Sequence, residues 1–159
     1  MLTEKATAGY LAAILQEKNV SEKFVPVLSG ILSRSFYNQD AGCMEIVVNT
    51  YVKKEIAKKA GLRSPGPVGS GLNKFVEYDL LTCVENGVYR FHPAYFGSRP
   101  WAEVQEMRIQ KCFGIKETIQ ILAVYADQTE TLDCPAEPTE GTEEGSTEAQ
   151  NISEEEISE

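Results

Sequence analysis

Hydrophobic residues recur at helical spacing in the first part of the chain. Two segments, about 3–17 and 21–36, carry apolar residues at intervals of three and four, which is typical of amphipathic helices. Ser21 is positioned to cap the second helix, and the polar run 38–42 (NQDAG) ends its pattern. The apolar faces are formed by Ala8, Leu11, Ala12, Ile14 and Leu15, and by Phe24, Val27, Leu28, Ile31 and Leu32.

A second pair of helical patterns follows the short β-rich run Met44–Val48. Thr50 is a candidate N-cap for the first of these helices, and Gly61 is a natural C-terminal stop. The second helix begins near Ser64-Pro65 or Gly66-Pro67, because proline is favoured at the first helical position. Two helices joined by a tight glycine-containing turn are typical of a helix-turn-helix. The predicted apolar faces are Val52, Ile56, Ala57 and Ala60, and Val68, Leu72, Phe75, Val76 and Leu80.

A β-hairpin is predicted directly after the helix pair. Residues 81–84 (LTCV) and 88–91 (VYRF) flank Asn86-Gly87, a dipeptide that favours a tight type I′ turn. Pairing outward from this turn directs one side of the hairpin toward the core and leaves Arg90 free for solvent or phosphate. The predicted cross-strand pairs are Val84 with Tyr89, Thr82 with Phe91, and Cys83 with Arg90.

The region beyond the hairpin predicts one helix and one strand. Helical spacing of Trp101, Val104, Met107 and Arg108 indicates a short helix at about 100–111, and ETIQILAVYA after it favours a strand. We expect Tyr95, Phe96 and Trp101 to pack against the domain, and His92 to be a turn residue. The predicted fold is therefore α+β and mainly helical, with N-terminal helices followed by a winged helix-turn-helix. This domain spans residues 1–126, with its helix-turn-helix core at 45–97.

The net charge of −9 is distributed unevenly along the chain. Residues 127–159 carry twelve acidic side chains and no lysine or arginine, whereas residues 1–126 carry fifteen basic against twelve acidic side chains. The body is thus +3 and the C-terminal segment −12. Its composition predicts a disordered acidic tail, which either only solvates the protein or competes electrostatically for basic surface on the body.

Several classes of function are disfavoured by composition. Four separated cysteines without a CxxC pair and one histidine predict reduced thiols in the cytoplasm, no metal and no cofactor. No apolar stretch is long enough to cross a membrane, and the N-terminus lacks a signal-peptide pattern. The run GPVGSG (66–71) lacks the Lys-Ser/Thr of a P-loop. Gly69 and Gly71 instead indicate a helix that closely approaches another helix or a DNA backbone. We therefore expect a protein that is not an enzyme.

The order of helix pair and hairpin predicts binding to double-stranded DNA. The second helix of such a pair enters the major groove, where Asn pairs with adenine and Arg or Lys with guanine. Lysines on the first helix suit phosphates, which position the protein without specifying sequence. The predicted contacts are Lys53, Lys54, Lys58 and Lys59 on the first helix, Arg63, Ser64, Ser70, Asn73 and Lys74 on the second and its turn, and Asn86 and Arg90 on the wing.

The same region resembles bacterial plasmid replication initiators of the RepL type. The resemblance covers about residues 45–108, in KKEIAKKAGL, in NKFVEYDLL and most specifically in ENGVYRFHPAYFGSRPWAEVQEMR. It implies a winged-helix protein that binds a plasmid origin and recruits host replication proteins. The matched positions are Glu55, Ile56, Ala57 and Gly61, then Leu72, Leu80 and Leu81, then Gly87, Val88, Tyr89, Pro93, Phe96, Gly97, Trp101 and Val104.

Two other functions remain open on the sequence. A transcriptional or copy-number regulator would use the same winged helix, and its N-terminal helices are candidates for a homodimer interface. A helix-turn-helix can also serve as a protein–protein interaction module without DNA binding. Neither alternative changes the expected fold.

Overall fold

The computed structural model describes residues 1–127, which form an α+β fold with five α-helices and two antiparallel sheets. The predicted fold class is confirmed at this level. The α-helices are α1 (Glu4–Glu17), α2 (Val25–Ser33), α3 (Thr50–Lys59), α4 (Gly66–Glu77) and α5 (Pro93–Phe96). The strands are β1 (Phe36–Asn38), β2 (Cys43–Val47), β3 (Leu81–Glu85), β4 (Val88–Phe91), β5 (Val104–Cys112) and β6 (Thr118–Tyr125).

The segment predicted as one helix over 21–36 is shorter and composite. A 3₁₀ turn (Glu22–Phe24) precedes α2, and Ser21 makes no side-chain capping hydrogen bond. The chain leaves the helix after Ser33, so that Phe36 begins strand β1 instead of ending a helix. The predicted apolar face is confirmed, because Val27, Leu28, Ile31 and Leu32, which lie on one side of the helix, are buried.

Three helices pack closely because two glycines lie at their crossings. A Cβ placed on Gly30 in α2 would come within 2.9 Å of Ile56 Cγ2 in α3. A Cβ on Gly71 in α4 would lie 3.1 Å from Val27 Cγ1 and 3.2 Å from the Phe24 ring. Larger residues at either position would push the helices apart, since well-packed interiors have little free volume. Glycine thus sets the spacing of α3 and α4 against α2.

The ends of α3 result from identifiable capping residues. Asn49, one residue before the predicted cap, accepts a hydrogen bond from Val52 N at 2.8 Å. The prediction of Thr50 as the cap was therefore wrong by one position, and Thr50 is the first helical residue. At the other end, Gly61 has a φ of 70° and its N–H donates to Lys58 O at 3.2 Å. The predicted glycine stop is confirmed, because this left-handed conformation is one that glycine adopts without strain.

The larger sheet joins the strand before the helix pair to the hairpin after it. Its strand order is β1-β2-β4-β3, with all neighbours antiparallel. Strand β2 pairs with β4 through Glu45 with Arg90, Ile46 with Tyr89, and Val47 with Val88. A further hydrogen bond from Val48 N to Gly87 O, at 2.6 Å, attaches the turn of the hairpin to the residue that follows β2. The hairpin β3–β4 is therefore held beside the N-terminus of α3.

The register predicted for this hairpin was wrong because of a β-bulge. Glu85 pairs with Val88, but a register shift then follows and brings Cys83 opposite Tyr89. Val84 does not face the core and is 42% exposed. Only Gly87 in the turn has a positive φ, 81°, so the turn is not type I′, which needs two such residues. The remaining pairs are Thr82 with Arg90 and Leu81 with Phe91.

The segment predicted as a helix over 100–111 is instead a strand. After a 3₁₀ turn (Trp101–Glu103), β5 runs to Cys112 and pairs along its length with β6, the strand that was predicted. The apolar residues of 104–109 fit helical spacing, but Met107 and Ile109 also alternate with polar neighbours and face Ala123 and Ile121 on β6. The segment forms a strand instead of a helix because β6, as its partner strand, satisfies the backbone hydrogen bonds of β5, and α1 covers this face.

An aromatic cluster fastens the segment after the hairpin to α1. Phe96 is fully buried and meets Phe91 edge to face, with ring centroids 4.8 Å apart. Trp101 stacks on Tyr10 at 6.1 Å, and the Tyr10 hydroxyl donates a hydrogen bond to Tyr95 O. The packing role predicted for these aromatics is confirmed. His92 is exposed and caps the single turn of α5 by accepting from Ala94 N at 3.2 Å.

The prediction of a disordered acidic tail over 127–159 falls, beyond Asp127, outside the described residues. Asp127 itself accepts a 2.7 Å hydrogen bond from Arg99, and this ion pair lowers the pKa of the Asp127 carboxyl. Within residues 1–127, the helices are all too short or too polar to cross a membrane. The three cysteines in this range, Cys43, Cys83 and Cys112, are free thiols.

Candidate nucleic-acid interface

Helix α3 presents an exposed cationic face to solvent. Ile56 and Ala57 are buried, so the opposite side of the helix projects outward. Lys54 and Lys58 lie four residues apart on this outer side and are both exposed. Lys59 is exposed nearby, whereas Lys53 lies toward the packed side and is half-buried. Lys54 and Lys58 are thus the best-presented of the lysines predicted to contact DNA.

The cations of α3 differ from most others in having no ion-pair partner. Within residues 1–127, six basic side chains form ion pairs with carboxylates. These are Arg34, Lys74, Arg90, Arg99, Arg108 and Lys111. The acid of α3, Glu55, is itself paired with Arg34 at 3.4 Å. No described carboxylate lies within ion-pair distance of Lys53, Lys54, Lys58, Lys59 or Arg63, which we call the α3 cation cluster.

The turn from α3 to α4 extends this charge toward the second helix. Leu62 N donates to Ala57 O at 2.8 Å, which closes the C-terminus of α3 and fixes the direction of the turn. Arg63 and Ser64 follow and are both exposed. Arg63 therefore stands in the turn between α3 and the N-terminus of α4, as the sequence predicted.

The outer face of α4 is polar, small and unobstructed. Val68, Leu72 and Phe75 are buried against the body. The opposite side carries Ser70 and Asn73, both exposed. Ser70 Oγ donates weakly to Gly66 O at 3.4 Å, and the Asn73 amide makes no hydrogen bond to another residue of the described chain. The Asn73 amide is therefore available to an external partner.

Lys74 is less available than the sequence suggested. Its Nζ lies 2.9 Å from Glu77 Oε2 on the same helix, and this carboxylate raises the pKa of the Lys74 ammonium. The ammonium also lies 5.7 Å from the centre of the Tyr78 ring. Lys74 remains at the surface, but it must exchange Glu77 for any new anion. Its contribution to binding is consequently expected to be smaller than that of the unpaired cations.

Arg90 was predicted to be free, and this was wrong. Its Nε donates to Glu45 Oε2 on the neighbouring strand at 2.9 Å, and this pairing raises the pKa of the guanidinium. Glu45 also accepts from Asn38 Nδ2 at 3.1 Å and is only 8% exposed. Because a nearly buried carboxylate requires a partner, Arg90 mainly holds the sheet together. The sequence did not show this, since Glu45 stands in the β-rich run without any sign of its partner.

The tip of the hairpin β3–β4 carries Asn86, the other contact residue predicted on the wing. Asn86 is exposed at the turn. Beside it, Gly87 is held close to the start of α3 by its bond to Val48 N, and a Cβ on Gly87 would come within 2.7 Å of Val48 O. The tip therefore has a fixed position relative to the N-terminus of α3, and Asn86 projects from it.

The two glycines singled out in α4 have different roles. Gly71 faces Phe24 and Val27, so its close approach is to the body of the protein. Gly69 faces outward, and a Cβ at this position would have nothing within 4 Å. A glycine inside an exposed helix costs about 1 kcal/mol relative to alanine. Internal packing explains Gly71 but not Gly69.

One exposed aromatic on α3 was not predicted as part of the surface. Tyr51 is 66% exposed and lies three residues before Lys54, on the same side of the helix. Its position outside the apolar stripe of Val52, Ile56 and Ala57 is the signal that could have identified it. Tyr51 thus places an aromatic hydroxyl beside the α3 cation cluster.

The described part of the chain contains no group of three or more His, Cys, Asp or Glu side chains placed to hold a metal ion. The outward-facing groups of α3 and α4 are instead ammonium, guanidinium, amide and hydroxyl donors. Such donors suit phosphate oxygens and base edges.

Comparison of this chain with protein families, curated proteins and solved structures finds no match in any of the three.

Proposed function

We propose that residues 45–97 form a winged helix-turn-helix that binds double-stranded DNA. Three features support the proposal. The α3–α4 pair is joined by a short turn that begins at Gly61, the hairpin β3–β4 follows α4 directly, and its return strand pairs with β2, the strand that precedes α3. In this arrangement α4 is the helix that enters the major groove and the hairpin is the wing.

The observation that carries the proposal is the α3 cation cluster. Phosphate contacts supply most of the sequence-independent affinity of DNA-binding proteins, and they require cations that are not already neutralised. Among the described basic residues, the five of α3 and its turn lack carboxylate partners, while six of the ten elsewhere have them. Lys54, Lys58 and Arg63 then contact the DNA backbone and position α4.

Base recognition is assigned to the outer face of α4. Asn73 is exposed with its amide unengaged, and Asn can form two hydrogen bonds with adenine. Ser70 lies three residues earlier on the same face, and Gly69 leaves room for close approach. Asn86 on the wing reaches the backbone or the minor groove beside the site. Lys74 contributes after releasing Glu77, and Arg90 makes no DNA contact.

The biological role we propose is initiation of plasmid replication. It rests on the resemblance of about residues 45–108 to RepL-type initiators, above all in the hairpin and the segment from Pro93 to Trp101. Such a protein binds a plasmid origin and recruits host replication proteins. A transcriptional or copy-number regulator would use the same DNA-binding face. The two roles are distinguished by testing whether the protein supports replication of a plasmid that carries its own gene.

A second candidate function is a protein-interaction module, and one observation favours it. The tip of the β5–β6 hairpin exposes Phe113 (81%) and Ile115 (106%), which are large apolar residues at a protruding position. Exposed apolar residues grouped together are typical of protein contacts. Such a contact is compatible with DNA binding, because this tip is separate in sequence and in sheet from the α3–α4 pair.

The proposal is tested by measuring DNA affinity of the full chain by fluorescence anisotropy, with duplex from its own gene region and with unrelated duplex. Lys58→Ala should weaken binding to both about equally, because phosphates are the same in all sequences. Asn73→Ala should weaken only the specific duplex, by about 1–3 kcal/mol.

Lys116→Ala serves as the matched control, since Lys116 is an exposed lysine at the β5–β6 tip. It should leave both affinities nearly unchanged. If the unaltered protein binds neither duplex at low salt, DNA binding is rejected. Equal losses from Lys58→Ala and Lys116→Ala would reject the assignment of the binding face.

A further inference from the structure

The acidic C-terminal segment and the α3 cation cluster carry opposite charges on one chain. Residues 128–159 contain eleven acidic side chains and no basic one, since Asp127 accounts for the twelfth acid of the segment. The cation cluster has five basic side chains without a carboxylate partner among residues 1–127. Of the ten basic residues elsewhere in residues 1–127, six form ion pairs, and the other four (Lys5, Lys18, Lys23 and Lys116) are divided between the N-terminal elements and the β5–β6 tip.

We propose that the acidic segment 128–159 binds the α3 cation cluster of its own chain and thereby competes with DNA phosphates. This inference concerns the regulation of the proposed DNA-binding face and rests on that proposed function. Carboxylates of the segment would occupy the positions of phosphate oxygens beside Lys54, Lys58 and Arg63. The segment would then act as an internal competitor that DNA must displace.

The length of the segment is sufficient for this contact. It starts after Asp127, which Arg99 holds at the end of β6. A segment of 32 residues can extend to roughly 100 Å, at about 3.3 Å per residue. A body of 127 residues has a radius of gyration of about 14 Å. Every face of the body, including α3, therefore lies within reach.

The distribution of charge within the segment favours an electrostatic contact over a packed one. Its acids are grouped in short runs separated by small and polar residues, and it contains no aromatic residue. Covalent attachment gives a tethered segment an effective concentration of about 1 mM. A weak contact is therefore enough to reduce DNA affinity, and salt should weaken it together with DNA binding.

The alternative is a segment that stays fully solvated, as runs of charged residues commonly do. The two cases differ in where the carboxylates lie in the absence of DNA. In a docked segment they are concentrated near the lysines of α3. In a solvated segment they meet the exposed lysines of the body without preference. Zero-length carbodiimide cross-linking distinguishes these cases, because it joins only carboxylates and amines already in contact.

The experiment uses the full chain and a full-length variant in which five tail acids become amides. Length and sequence are otherwise unchanged, so that only charge differs. In the unaltered protein at low salt, cross-links from the segment should concentrate on Lys54, Lys58 and Lys59 rather than on Lys5, Lys23 and Lys116. The substitutions are Glu143→Gln, Glu144→Gln, Glu154→Gln, Glu155→Gln and Glu156→Gln.

The same variant should bind unrelated duplex DNA about tenfold more tightly than the unaltered protein at low salt. The difference should shrink as salt rises toward about 0.5 M, where the screening length is on the order of 4 Å. Cross-links spread evenly over all exposed lysines would overturn the docking of the segment. Unchanged DNA affinity in a variant that still binds DNA would overturn its competition with DNA.

These failures are distinct from failure of the proposed function. If neither protein binds DNA, the DNA-binding proposal is rejected. The cross-linking result then decides alone whether the segment docks on α3. If DNA binds and the cross-links are unselective, the function stands and the internal competitor is rejected.

Discussion

Single glycines determine much of this fold, and Gly97 is constrained in two ways. Its φ is 75°, a conformation that favours glycine, and a Cβ at this position would collide with the Tyr125 hydroxyl on β6. Gly97 ends the turn α5 and lets the chain pass close beneath the second sheet. The resemblance to RepL-type initiators included this residue, and the geometry gives it a physical reason.

We predict that Gly97→Ala destabilises the protein by about 2 kcal/mol or more, because a left-handed backbone and a steric collision add together. Gly69→Ala is the matched control. Its position in α4 has an ordinary helical backbone and nothing within 4 Å, so alanine should stabilise the protein by up to about 1 kcal/mol. Urea unfolding of the two variants measures both effects, and similar changes in stability would contradict this assignment.

Residue-level prediction from sequence succeeded where the cause is local. Gly61 was identified as the stop of α3 because the helical pattern ends there and glycine tolerates a positive φ. Arg90 was wrongly expected to be free because its partner, Glu45, lies 45 positions away on another strand. No local pattern reports such a pair. Exposure of Lys54, Lys58 and Lys59, by contrast, agrees with the buried stripe on the other side, although Lys53 is half-buried.

At the scale of elements, the buried faces of the helices were recovered better than strand register. The α3–α4 pair was predicted from apolar spacing, and its buried residues agree with that spacing. The hairpin was found from Asn86-Gly87, but its register depends on a bulge near Val84 that no composition rule specifies. Strand β5 was missed because its apolar residues fit two periods, and only the presence of β6 and α1 decides between them.

The position of the cap of α3 provides a direct test at this scale. Asn49→Ala should destabilise the protein by about 1 kcal/mol, because the N–H of Val52 loses the acceptor that now lies 2.8 Å away. Thr50→Ala, one residue later, should change the free energy of unfolding by much less. Thermal or urea unfolding compares the two. A larger loss for Thr50→Ala would mean that the cap lies where the sequence first suggested.

The whole molecule combines a basic body with an acidic C-terminal segment. The described body carries its ion pairs on several elements, but leaves the cations of α3 and its turn without carboxylate partners. Composition alone shows the sum of charges and their division along the chain. It does not show the pairing, which depends on how acids of α1, α3, α4, the larger sheet and the β5–β6 hairpin lie beside the other basic residues. This unequal pairing is what makes one face suitable for a polyanion.

The central claim is that the outer faces of α3 and α4 contact duplex DNA, and amide chemical-shift mapping tests it most directly. A duplex from the gene's own region is titrated into the full chain at low salt. We predict that the largest shifts occur between Lys54 and Lys74 and at the Asn86 turn, with β5 and β6 little affected. Absence of shifts, or shifts confined to the β5–β6 hairpin around Phe113, would contradict the claim.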